Sequence, residues 1–113
     1  MSGKSQSKKI TDKAQLVDWL KQQEADADNW LIGTEHEKFL FQKSSFRPVS
    51  YEGEMGIGEI LSRLAKKHTM TPIFEKGYII GLKDGQGGSI TLEPGGQFEL
   101  SGAPLKNLHQ TCS

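Results

Sequence analysis

From Pro72 to Ser101 the sequence breaks into four short runs of β-forming residues: Pro72–Glu75, Tyr78–Lys83, Ser89–Glu93 and Gln97–Ser101. Glycine falls in or beside every break. The Asp84-Gly85-Gln86-Gly87-Gly88 stretch supplies the positive-φ residues a tight reversal needs, so it reads as a hairpin loop. Short strands joined this way form an antiparallel meander. With helical patterns before and after it, the chain is expected to be α+β, an antiparallel sheet with flanking helices on one side.

The helices follow from apolar spacing. Ile57, Ile60, Leu61 and Leu64 fall at i, i+3, i+4 and i+7, which predicts a helix from about Gly56 to His68. Glu52, Glu54 and Glu59 lie towards its start and Lys66, Lys67 and His68 close it, matching the helix dipole. An earlier helix is expected to be capped by Thr11, to carry Leu16, Val17 and Leu20 on its apolar stripe, and to end near Glu24–Asn29. Pro104 suits the first position of a third, with Leu105, Leu108 and Cys112 along one side. That helix has scarcely begun at Ser113, so a piece of a longer protein is expected. Residues 1–10 are polar and lysine-rich and read as a disordered arm, leaving 11–113 as a single domain. Trp30–Gln42, dense in aromatic and β-forming residues, reads as one long strand, and Phe46–Tyr51 as an extended link or edge strand.

Lysine plus arginine and aspartate plus glutamate each number 14. A balanced chain has no net field to gather nucleic acid or an anionic membrane, so neither is an expected partner. The N-terminus lacks the apolar segment of a secretory signal, and a cytoplasmic location is expected. The single cysteine, Cys112, cannot pair within the chain, so a metal site would have to use oxygen or histidine.

Chemistry points first to Glu35 and Glu37. On a strand they share the face of Phe39 and Phe41, while His36 and Lys38 take the other. Two carboxylates roughly 7 Å apart are costly to bury unless neutralised, and a hard divalent cation would neutralise them. Magnesium takes one or two carboxylates together with substrate phosphates. If the face is solvated at a sheet margin, the pair needs no such partner. A second acidic set lies in Thr91-Leu92-Glu93-Pro94-Gly95-Gly96-Gln97-Phe98-Glu99-Leu100-Ser101, where Gln97, Glu99 and Ser101 share a face. Glu93 has the same parity as Glu99, but Pro94-Gly95-Gly96 is expected to bend or bulge the strand between them, so the parity need not survive. Gly56-Ile57-Gly58 lacks the remaining residues of a dinucleotide or phosphate loop.

The segments Ile32-Gly33-Thr34-Glu35-His36-Glu37-Lys38-Phe39 and Ser89 to Pro104, continuing through Leu108-His109-Gln110-Thr111-Cys112, resemble the glutamate-cysteine ligase family of plants and many proteobacteria. The resemblance implies part of a catalytic domain like that of glutamine synthetase. It also implies ATP-dependent ligation of the glutamate γ-carboxyl to the cysteine amine through a γ-glutamyl phosphate, the first step of glutathione synthesis. Glutamate, cysteine and ATP are then the partners, together with the remainder of the same polypeptide, and Mg2+ the cofactor. Carried over by motif, Glu35, Glu37, Glu93 and Glu99 are the implied metal ligands. A related ligase with another acceptor amine, or a non-catalytic metal-binding or interaction module, would retain the same strands. Whether the reading frame continues past Ser113 with arginines and further acids separates these readings.

Overall fold

The computed structural model describes residues 9–113. The polar arm expected over residues 1–10 lies, for residues 1–8, outside the described residues. The chain divides into two compact units, Met1–Trp30 and Leu31–Ser113.

In the first unit, helix α1 spans Lys13–Gln22. Its cap is Asp12, not the expected Thr11. The Asp12 carboxylate accepts from the Gln15 backbone N–H at 3.0 Å, and Gln15 Oε1 accepts from the Thr11 N–H at 2.8 Å. A carboxylate at the positive end of the helix dipole is the better of two adjacent candidates. A 3-10 turn over Ala27–Asn29 follows, and the Trp30 indole N–H donates to the Ala25 carbonyl at 2.8 Å.

The second unit contains β1 (Glu35–Phe39), α2 (Ile57–His68), β2 (Thr71–Glu75), β3 (Tyr78–Lys83), β4 (Ser89–Glu93), β5 (Gln97–Ser101) and α3 (Leu108–Cys112). The five strands form one antiparallel sheet in the order β1-β5-β4-β3-β2. This is the expected meander, with β1 added beside its last strand. The Asp84 carboxylate closes the β3–β4 loop by accepting from the N–H groups of Gln86 and Gly88 at 2.7 and 2.9 Å.

Helix α2 packs on β3 and β2. Gly56 caps it, and only glycine fits there, because a Cβ would run into the Glu52 carbonyl. Ile57, Leu61 and Ala65 bury against Ile79 and Leu82, with Ile90, Leu92 and Phe98 packed around them. A bulge in β3 makes this possible: Ile73 pairs with Gly81 and Phe74 with Ile79, so Ile80 is the extra residue. That extra residue brings Ile79 onto the face of Leu82. Among the described residues no helix is long and apolar enough to cross a membrane.

Two elements are shorter than expected. The strand expected over Trp30–Gln42 is regular only from Glu35 to Phe39, with isolated bridges at Ile32–Leu105 and Phe41–Pro48. Its length is limited by its partner: β5 begins at Gln97 after a hairpin and ends before Gly102-Ala103-Pro104, and proline has no N–H to extend the ladder. The third helix begins at Leu108 behind an Asn107 cap, not at Pro104. The reason is that Leu105 already exchanges backbone hydrogen bonds with Ile32, at 2.7 and 2.9 Å, and so is held extended.

Candidate functional site

Register places the acids. Glu35, Glu37 and Phe39 on β1 stand opposite Ser101, Glu99 and Gln97 on β5. Those three in turn oppose Ser89, Thr91 and Glu93 on β4. Directly opposed residues share a face, giving three rows: Glu35-Ser101-Ser89, Glu37-Glu99-Thr91 and Phe39-Gln97-Glu93. The alternate residues Ile90, Leu92 and Phe98 pack on the α2 core, so all four glutamates lie on the face turned away from α2.

The Glu93 position corrects the expected geometry. Pro94-Gly95-Gly96 does not bend one continuous strand but turns the chain back on itself, with Gly95 and Gly96 at φ 78° and 79°. Pairing across that hairpin, Glu93 against Gln97, sets the face. A bulge would have left it open.

Every residue of β1 is solvent-exposed, so the argument from burial of the Glu35–Glu37 pair does not hold in this chain. What gathers the acids is cross-strand register. Each of three carboxylates takes one hydrogen bond from a neutral neighbour on the same face. The Gln97 amide donates to Glu37 Oε2 at 2.9 Å, the Thr91 hydroxyl to Glu93 Oε1 at 2.9 Å, and the Ser101 hydroxyl to Glu99 Oε1 at 3.1 Å. Among the described residues the one ion pair, Arg63–Glu59, is on α2. The nine positions of the three rows hold no basic residue. Lys83 opposes Ser89 on β3, about 14 Å from Glu35 across three strand spacings.

The donor set is chemically right for magnesium, which prefers hard oxygen ligands. The side chains are not converged for it: among the described residues no three His, Cys, Asp or Glu groups come together as a metal-ligating set. Thr91, Gln97 and Ser101 each hold one of three carboxylates. The sequence alone points to no role for these three, although the shared parity of Gln97, Glu99 and Ser101 is visible in it. His36 and Lys38 lie on the other face, as alternation requires.

The family model of glutamate-cysteine ligase family 2 (GCS2) matches residues 31–113, the whole of the second unit. Relatives include the chloroplastic glutamate–cysteine ligase of Medicago truncatula, 52% identical over 101 residues, covering 89% of this chain and 19% of that protein. Glutamate–cysteine ligase A, chloroplastic, of Oryza sativa subsp. japonica is 55% identical over 86 residues, covering 76% of this chain and 17% of that protein. The chloroplastic enzyme of Nicotiana tabacum is 50% identical over 101 residues, covering 89% and 19%. The chain therefore spans under a fifth of the length of these relatives.

Their names overturn the cytoplasmic expectation, since all three are chloroplastic proteins. That expectation rested on the lack of an apolar signal segment. Such a lack argues only against a secretory signal, because plastid-targeting segments are amphipathic and serine-rich and carry no apolar run of that kind. With the acidic strands in register and a family match that runs unbroken from Leu31 to Ser113, the chain belongs to glutamate-cysteine ligase family 2.

Proposed function

We propose that the face bearing Glu35, Glu37, Glu93 and Glu99 is part of the magnesium-nucleotide site of an ATP-dependent ligase. That ligase joins the γ-carboxyl of glutamate to the amine of cysteine, the first step of glutathione synthesis. On this reading residues 11–113 belong to its catalytic domain, and the remaining polypeptide supplies the rest of the substrate pocket. The observation that supports it best is the register, which sets Glu37 opposite Glu99 with Glu35 and Glu93 on the same face and no basic residue among them.

Charge explains why such a face suits the reaction. The attacking carboxylate and the ATP phosphates are both anionic, and bound magnesium supplies the screening and the stabilisation of charge on the transferring phosphoryl group. The chain's own contribution is to hold four oxygen-donor side chains on a hydrogen-bonded sheet, where backbone pairing limits their movement. Neutral donors beside three of them direct the carboxylates without cancelling their charge.

The test is Glu37→Gln in the full-length ligase that carries these residues. The amide keeps the shape and loses the charge, so turnover should fall roughly 100-fold. Stability should change by no more than about 0.5 kcal/mol, since the residue is exposed. Near-normal turnover at saturating ATP and magnesium would overturn the assignment.

A further inference from the structure

We infer that Gln97 is a positioning residue that sets the carboxylate of Glu37 for the cation, an inference that rests on the metal-site reading above. Gln97 is half-buried and lies opposite Glu93 on one side and Phe39 on the other. Its amide reaches diagonally across the β1–β5 pair to Glu37 Oε2 at 2.9 Å, linking residues 60 apart in sequence.

The other two hydrogen bonds on the face are local. Thr91 to Glu93 and Ser101 to Glu99 each span two residues of one strand. Gln97 alone among these donors ties a β1 carboxylate to the β4–β5 hairpin. The β1 carboxylates need such a tie more than Glu93 and Glu99 do, because β1 is an exposed edge strand and its side chains pack against little, and of the two on β1 it is Glu37 that Gln97 reaches. A free glutamate side chain loses rotamer entropy when a cation fixes it, and a partner that fixes it beforehand removes part of that cost.

The residue type also fits the role. A lysine or arginine at position 97 would orient Glu37 equally well but would form an ion pair and offset the charge a divalent cation requires. An amide orients without neutralising. It engages one carboxylate oxygen, and among the described residues Glu37 Oε1 has no side-chain donor.

The experiment is a Mn2+ titration of the full-length ligase, following the free-ion electron paramagnetic resonance signal, because Mn2+ favours the same oxygen ligands as magnesium. Wild type, Gln97→Leu, Gln97→Ser, Glu37→Gln and the Gln97→Leu/Glu37→Gln double variant are compared. Leucine keeps the bulk and removes the donor, whereas serine stays polar but is too short to reach Glu37, so the two test one loss from opposite directions. Each should weaken Mn2+ binding about tenfold and leave the KM for cysteine unchanged. In the Glu37→Gln background Gln97→Leu should weaken binding no further, since its effect runs through Glu37.

Unchanged Mn2+ affinity in either Gln97 variant, with weakened affinity in Glu37→Gln, would refute the positioning role and leave the metal reading standing. A further loss in the double variant would refute it as well, by showing that Gln97 acts elsewhere. If Glu37→Gln itself left affinity unchanged, the metal reading and this inference would fall together.

Discussion

Leu61 is fully buried, at 0% exposure, on the side of α2 that meets the sheet. It sits between Ile57 and Ala65 on the helix and against Ile79 and Leu82 on β3, five residues that are the only buried hydrophobics among those described. Leu61→Ala removes the central one. The loss combines the transfer free energy of the deleted carbons with a cavity that a sheet and a helix on either side cannot fully collapse, giving about 3–4 kcal/mol. A unit of this size holds on the order of 4–12 kcal/mol in total, so this one substitution should remove a large part of it. Urea unfolding of the 113-residue chain, followed by far-ultraviolet circular dichroism, measures the effect. Tryptophan fluorescence is the wrong probe, since Trp19 and Trp30 both lie in the first unit. Leu61→Met, which conserves volume, should cost less than about 1.5 kcal/mol. A loss below about 1 kcal/mol for Leu61→Ala, with an unchanged denaturant slope, would refute the claim that the sheet depends on this contact.

Tyr51→Phe should cost about 1 kcal/mol in the same assay, because the Tyr51 hydroxyl donates to the Ile79 carbonyl at 2.8 Å in a part-buried setting; no change would mean that water replaces the bond without loss. The 113-residue chain mixed with glutamate, cysteine and magnesium-ATP should release no ADP in a cysteine-dependent way, because phosphoryl transfer needs several positioned groups at once. Sustained turnover abolished by Glu37→Gln would overturn that expectation and show a complete site within these residues.

Local chemistry was readable and long-range pairing was not. The bounds of β3, β4 and β5 follow directly from the glycine-bearing breaks around them, and α2 from its apolar spacing, because both signals are set within a few residues. The length of β1 could not be read from its own composition, since Trp30 to Gln42 is β-forming throughout and the limit is imposed by a partner some 60 residues away. The helical spacing that takes in Leu105 misleads for the same kind of reason: nothing near it in sequence shows that Ile32 holds it extended. In the candidate site, alternation shows Glu35 beside Glu37 on one face of β1 and Glu99 beside Gln97 and Ser101 on one face of β5, and only the β1–β5 register joins the two sets. The shared face of Glu93 was not legible, because a bend or bulge at Pro94-Gly95-Gly96 leaves open which residue pairs with Glu93 across it. The link from Gln97 to Glu37 could emerge only once β1 was placed beside β5.

That placement has a consequence for how the domain is made. The β2 to β5 meander closes through short hairpins, the last of only three residues, Pro94–Gly96, and can form quickly from local contacts. Joining β1 to β5 closes a loop of about 60 residues, which costs roughly 2–3 kcal/mol more in chain entropy than closing a three-residue turn. During synthesis β1 emerges first and waits for its partner, with Phe39, Phe41 and Phe46 exposed even once these residues are folded, at 66%, 56% and 77%. The acidic rows are thus completed only by the pairing that closes the longest loop of the sheet. A substitution that delays β5 should leave newly made chains with an unpaired, aromatic strand edge, the form in which nascent chains stick to one another.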